Sequence, residues 1–407
     1  MNEPSAIPVI DLFAGPGGLG EGFSHFEPGP GRPGFKVALS IEKDPWAHET
    51  LRLRSFYRQF PQGEAPEVYY DVLRQNLDIE ALPETLRNSS LLRRHWDEAD
   101  REALQAELGA SENMHRAISR RIRDALGDHK KPWVLIGGPP CQAYSIVGRA
   151  RNKGVFDYRI ERDRRSSLYR EYLRIIAEFW PAVFVMENVK GLLSTKIQQR
   201  HLFDQIINDL RSPLAAFGNG TRPRPSRRYE IFPLVQNDAM LFRDVGRPED
   251  FIVPCEQFGI PQVRHRVILI GVREDLSGAE LPILVPAPPP TVSDVIGDLP
   301  ALRSGVSRRR GRGGYQFVDD SAELWVQAVR EQALRPMGTE KRWLKSLNNG
   351  HVSDVYTEVL RTIRVLNSPR EDRGAEFIPT GPTAADAPRP LASWYRDPRL
   401  GGVCNHG

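Results

Sequence analysis

The apolar run Trp133-Val134-Leu135-Ile136 passes directly into Gly137-Gly138-Pro139-Pro140-Cys141-Gln142, a glycine and proline turn that carries a cysteine. A short, continuous apolar run bounded by such a turn reads as a strand buried on both faces, the strand type of parallel α/β sheets. In open α/β sheets the ligand crevice lies outside the carboxyl ends of the strands, so the turn puts Cys141 where a nucleophile belongs. The two prolines hold it in one direction because they leave the chain little freedom to lose. A lone cysteine is more often a small buried hydrophobe; three further segments weigh against that for Cys141.

The first runs from Val9 to Phe23, an apolar strand entering the glycine-rich turn Phe13-Ala14-Gly15-Pro16-Gly17-Gly18 and then a helix start. Such a turn lets backbone approach a nucleotide-like ligand closely. Its Gly15-x-Gly17-x-x-Gly20 pattern, with Glu42 about twenty residues later at the end of a second apolar strand, has dinucleotide-fingerprint spacing and taken alone suggests NAD. Any α/β enzyme that holds an adenosine by its ribose hydroxyls needs the same turn and carboxylate. The second segment, Val183 to Val189, is an apolar strand ending in Glu187 and Asn188; a carboxyl there is desolvated enough to hold or share a proton. In the third, Phe258 to Gly271, Arg264 and Arg266 alternate on one face of a strand entrance, which suits clamping a planar polar group or a phosphate. Singly, a strand-end Glu is as often a helix cap, and paired arginines a solvated edge.

Together, in this order, the segments resemble the DNA (cytosine-5)-methyltransferase family. Its DLFAGxGG loop, PPCQ turn, ENV strand end and QxRxR strand match Asp11 to Gly18, Pro139 to Gln142, Glu187 to Val189 and Gln262 to Arg266. Lesser matches are Glu42-Lys43-Asp44, Asp71-Val72 after a third strand, Asp163 to Ile176 before a fifth, and Thr291 to Pro300. The resemblance implies a Rossmann-like α/β fold, a mixed and mostly parallel sheet with helices on both faces, and methyl transfer from S-adenosylmethionine to carbon 5 of a cytosine flipped out of duplex DNA. It implies Cys141 as nucleophile on its Gln142-bearing turn, Glu187 at the N3 side of the ring, Arg266 at the O2 side with Arg264 supporting it, and Asn188 bracing the turn. Phe13, Ala14, Gly15, Pro16, Gly17 and Gly18 would line the cofactor, Glu42 take its ribose hydroxyls, Asp71 and Val72 lie by the adenine, and Pro140 and Leu168 close the methionine side. The family often has an aromatic or apolar residue after the ribose carboxylate; this chain has Lys43, with Trp46 as a possible substitute.

Lys+Arg 56 against Asp+Glu 52 gives a net charge of +4, mild support for a polyanion partner. The basic runs Ser307 to Gly314 and Arg222 to Arg228 could track phosphates, although such runs are commonly solvated loops. The widely spaced Cys141, Cys255 and Cys404 indicate neither a disulfide framework nor a zinc site. With no signal peptide and no stretch of about eighteen apolar residues, a cytoplasmic protein away from membranes is expected.

The expected division is a catalytic domain over 1–285 and a boundary segment with partial target-recognition region over 286–407. A charged helical insertion over about 79–131 is expected within the first, its helices at Arg101 to Leu108 and Met114 to Leu126. The family's Arg-Glu-rich helix with a Phe-Pro ending and its Gly-Asn-x-Val-Pro segment are not found. A natural fragment, split subunit or truncated gene product is therefore expected, with a complementing C-terminal polypeptide and a cognate restriction endonuclease as candidate partners. A second reading stays open, in which the chain is a catalytically incomplete fragment or split subunit acting as a DNA- or partner-binding module.

Overall fold

A computed structural model describes residues 6–61, 63–127, 131–140, 168–193, 200–217, 227–235, 247–276 and 283–297, with shorter stretches at 196–197, 278, 299, 303, 309–311, 314–316, 321–334, 361–362, 365, 376–379, 397 and 399–405. Two compact units emerge: Met1–Ala65 with Leu82–Val292, and Pro66–Ala81 with Ser293–Gly407. The expected single division after residue 285 thus differs from the structure, where the units part at Val292 and the second also takes Pro66–Ala81.

The first unit is built on strands β1 (Ile7–Leu12), β2 (Phe35–Glu42), β3 (Ala103–Gln105), β4 (Val134–Gly137), β5 (Val183–Val189), β6 (Tyr229–Phe232), β7 (Ile252–Pro254) and β8 (His265–Arg273). They form one sheet in the order β3-β2-β1-β4-β5-β8-β6, with β7 also paired to β8. The five strands from β3 to β5 run parallel. β8 lies antiparallel to β5, β6 and β7. Parallel strands covered on both faces need apolar side chains throughout, which is why β4 is buried at every residue.

Helices α1 (Gly18–Ser24), α2 (Pro45–Tyr57), α3 (Glu67–Leu73), α4 (Ser90–Glu102), α5 (Glu112–Leu126), α6 (Leu168–Phe179) and α7 (Leu202–Arg211) connect the elements. Their starts are legible locally. Asp44 accepts the Ala47 N–H at 2.9 Å ahead of Pro45 at the start of α2, and Ser89 and Ser111 accept N–H groups of Leu92 and Met114. Alternate strand residues face opposite layers. Ile10, Leu12, Leu39, Ile41 and Leu135 join Ile118 and Ile122 of α5 and Tyr172, Ile175 and Ile176 of α6 in the main core. Val9, Val134 and Ile136 pack on the other side with Leu19 and Phe23 of α1. This is the expected mixed, mostly parallel Rossmann-like sheet with helices on both faces.

Two expectations fail in the same region. Arg101 to Leu108 is not a helix: α4 ends at Glu102, and the next three residues form β3, where Ser40 pairs with Ala103 and Glu42 with Gln105. Asp71 and Val72 do not follow a strand but lie in α3. A three-residue strand is too short to show its period, and pairing along β2 overrides the helical propensity of Arg-Glu-Ala-Leu. The helices near 79–131 therefore flank the third strand, one on each side.

In the second unit, the buried Tyr70 of α3 donates its hydroxyl to Asp397 at 2.7 Å, with the Arg399 guanidinium 4.4 Å from its ring centre. Ala322–Leu334 is helical, and two short antiparallel pairs join Arg309–Gly311 to Gly314–Gln316 and Glu376–Pro379 to Gly402–Asn405.

Candidate active site

The strand order reverses between β1 and β4, and at such a switch point the loops leaving the strand ends diverge and leave a crevice. Both motif turns leave these two strands. The glycine turn is wound tightly: the Ala14 N–H donates to Ile41 O at 3.1 Å and the Gly17 N–H to Ala14 O at 3.0 Å. Gly17 has φ 89°, and a Cβ there would lie 2.8 Å from Leu51 Cδ1, so both conformation and space require glycine. Phe13 is held at φ 56°, uncommon for a side chain of this size, which turns its ring out of the strand.

Beside this turn lies an open pocket, about 460 Å³ counting the space it shares with solvent. Phe13 lines it from the end of β1, Ile41, Glu42 and Lys43 from the end of β2, Ala106, Glu107 and Leu108 from beyond β3, Gly138 and Pro140 from beyond β4, and Leu168 from the start of α6. Glu42 is fixed by three backbone donors: Gly15 N–H to Oε2, and the N–H groups of Lys43 and Asp44 to Oε1, each at 2.8 Å. Ala14, Gly15, Pro16, Gly17 and Gly18 shape the turn rather than the wall. Asp71 and Val72 are not wall residues; the acid and aliphatic pair after the third strand is Glu107-Leu108, which sequence reasoning missed. Its signal, an acid and an aliphatic residue behind a short apolar run, was present but masked by the helical reading of Arg101 to Leu108.

The residues present fit the S-adenosylmethionine that the resemblance implies. Apolar walls from Phe13, Leu108 and Leu168 suit a purine, and one immobilised carboxylate is placed to meet hydroxyls. Glu42 still has accepting capacity on Oε2, which takes a single N–H among the described residues.

The turn after β4 is held from β5. Asn188, 4% exposed, donates its Nδ2 to Pro139 O at 3.2 Å and accepts the Val189 N–H on Oδ1 at 2.9 Å. Glu187 lies beside the same turn, since a Cβ on Gly138 would sit 3.2 Å from Glu187 Oε2. Its Oε1 is 2.6 Å from Arg266 Nε, a close ion pair in which the N–H is not aimed along the contact. Arg266 also donates Nη1 to His265 O at 2.9 Å. Glu187 is thus a paired carboxylate a quarter exposed rather than one isolated among apolar groups. Arg264 is exposed at the entrance to β8, and its carbonyl accepts the Cys255 N–H at 3.1 Å. Cys141 and Gln142 lie outside the described residues. Burial pushes the Cys255 thiol up, with Arg264 opposing, so that cysteine is not an activated nucleophile.

Beneath the glycine turn, Asp11 is fully buried, and burial pushes its carboxyl from 3.8 to about 8. The Gly20 N–H opposes the rise only partly, and neither oxygen makes a well-aligned hydrogen bond among the described residues.

Fold and site together define a doubly wound α/β protein with a pocket at its switch point and a braced Gly138-Pro139-Pro140 turn beside it. The family model for C-5 cytosine-specific DNA methylases matches residues 92–213. A type II methyltransferase of Bacillus paralicheniformis is 32% identical over 314 residues, 72% of this chain and 61% of the relative. Another, of Desulfomicrobium norvegicum, is 25% identical over 305 residues, covering 73% and 49%. A DNA (cytosine-5-)-methyltransferase of Aeropyrum pernix is 31% identical over 156 residues, covering 36% and 28%. Residues 92–213 thus match the C-5 cytosine-specific DNA methylase family, and the chain spans 61% and 49% of the length of the Bacillus and Desulfomicrobium relatives.

Proposed function

We propose that this chain carries the catalytic core of a DNA (cytosine-5-)-methyltransferase, with S-adenosylmethionine as methyl donor and a cytosine of duplex DNA as acceptor. The observation that carries the reading is the convergence on the Cys141 turn: Asn188 bonds Pro139, and Glu187, paired with Arg266, lies against Gly138.

Carbon 5 of cytosine is a weak nucleophile. Addition of the Cys141 thiolate to carbon 6 turns the ring into an enamine, with Glu187 bound at N3 and Arg266 at O2 to accept the developing charge. When bound, S-adenosylmethionine supplies an electrophilic methyl group. Carbon 5 takes that methyl; loss of its proton then restores the double bond and expels the sulfur. Phe13, Glu42 and Leu108 hold the adenosine end of the donor and Pro140 and Leu168 close its methionine side, while Asn188 keeps the turn from swinging away. The base reaches this site only by leaving the stack, at a cost of a few kcal/mol that contacts to the duplex offset.

Double-stranded DNA is the partner this chemistry requires, and the cytoplasm of a prokaryotic cell the compartment that holds it. A complementing C-terminal polypeptide is a further proposed partner, supported by the part of the relatives this chain does not span, and a cognate restriction endonuclease another, supported by the type II methyltransferases among them.

The test uses a duplex containing 5-fluorocytosine, whose fluorine cannot leave as the proton does. With donor and any complementing polypeptide present, the wild-type chain should become covalently attached. Cys141→Ser should trap nothing and lose methyl transfer while keeping donor affinity. A serine variant retaining more than about a tenth of the rate would exclude Cys141 as nucleophile.

A further inference from the structure

Lys43 and Glu107 both line the cavity, yet both are exposed, with side chains 59% and 51% accessible. They therefore stand at its rim, and their charged ends lie 3.7 Å apart. Their backbones are tied to one residue: the Glu42 carboxylate accepts the Lys43 N–H at 2.8 Å, and the Glu42 carbonyl accepts the Ala106 N–H at 2.9 Å. The two chains are anchored, and only the side chains can open. The pocket is still open with the pair formed, so the pair borders it rather than filling it.

We propose that Lys43 and Glu107 form a charged clasp that closes over the adenosine end of bound S-adenosylmethionine and slows its escape. An exposed ion pair contributes little in water. A purine in the mouth displaces the water screening the pair and lies against the lysine stem within reach of the ammonium, so closure strengthens when the cavity is occupied. Exit then requires the pair to part. An apolar or aromatic residue at position 43 would cover the purine without this dependence on charge.

The proposal rests on the cavity being the S-adenosylmethionine site, and the experiment separates the two. Dissociation of tritiated S-adenosylmethionine from the full chain is followed after adding excess unlabelled compound. Lys43→Met, which keeps the stem, and Glu107→Gln should each speed release about three- to tenfold, and the double variant no further than the faster single one. The charge swap Lys43→Glu with Glu107→Lys should return release towards the wild-type rate, which a role for either residue alone would not produce. Raising salt should speed release from wild type and leave the neutral pair unaffected. Release unchanged in the single variants, or a swap as fast as they are, would overturn the clasp. Leu168→Trp, which fills the cavity without touching the bonds of Glu42, serves as the control. Should it leave S-adenosylmethionine binding intact, the cavity assignment fails; should it block binding while the Lys43 and Glu107 variants behave as wild type, only the clasp fails.

Discussion

Glu187 is at once the polar end of an apolar strand and the partner of Arg266, and both roles centre on one carboxylate. Glu187→Gln keeps the shape but removes the charge that Arg266 answers and the acid–base capacity beside the ring. It should slow methyl transfer by about two to four orders of magnitude, the usual range for a positioned acid or base, and hardly alter donor affinity. A single-turnover assay beside a binding titration separates the two; collapse of donor affinity along with the rate would assign Glu187 a structural role. Asp11 makes a prediction of opposite character. With its folded pKa raised to about 8, it binds its proton more tightly folded than unfolded. Between pH values of about 4 and 8 that proton is lost first from the unfolded chain, and stability falls as pH rises. Asp11→Asn removes the penalty and should gain on wild type by up to about 1.4 kcal/mol per pH unit across that window. Urea midpoints at pH 5 and pH 8 check it, and a constant difference would contradict the assigned shift.

Between elements, Arg58 is a concentrated electrostatic tie. It follows α2 and pairs with Glu21 of α1 and Glu102 at the end of α4, all three side chains less than a fifth exposed. Burial pushes the Glu102 carboxyl up, and Arg58 pulls it back. Removing one member of a buried network strands the others, so Arg58→Met should cost about 3–5 kcal/mol in urea unfolding at neutral pH. The loss should shrink at pH 5, where the stranded Glu102 can protonate; a loss below about 1 kcal/mol at neutral pH, the size of a surface pair, would show the network is solvated. A loosened α1 should also weaken donor binding, because α1 begins at Gly18, where the glycine turn ends.

At the scale of the whole molecule, the sheet presents the glycine turn, the pocket and the Gly138-Pro139-Pro140 turn at the ends of neighbouring strands, whereas contacts to the duplex that favour base flipping and read sequence need a far wider surface. Loss of chemistry and loss of duplex contact should therefore separate: Cys141→Ser should abolish methylation while leaving duplex binding in place. Protection of plasmid DNA from a methylation-sensitive nuclease beside a duplex-binding titration reads this, and loss of both together would defeat it.

Most of the site was legible because its signals are local. An apolar run followed by a glycine or proline turn announces a strand end from adjacent residues alone, and such junctions placed Phe13 and the Gly137-Gly138-Pro139-Pro140 turn at strand ends, where the structure has them, while Cys141 lies outside the described residues. Asp44, Ser89 and Ser111 marked helix starts by the same local chemistry. The structure decided what depends on distant partners. β3 exists because three residues pair along β2, not because Ala103-Leu104-Gln105 favours a strand, and with it Glu107 and Leu108 replaced Asp71 and Val72 at the cavity. That Asn188 braces the Pro139 turn was implied by the family resemblance rather than by any window of sequence, and nothing in the sequence showed that Lys43 would face Glu107. Residue type and local spacing specify which groups stand at a strand end. Which strand ends lie side by side, and so which side chains meet, is settled only when the sheet closes around its core.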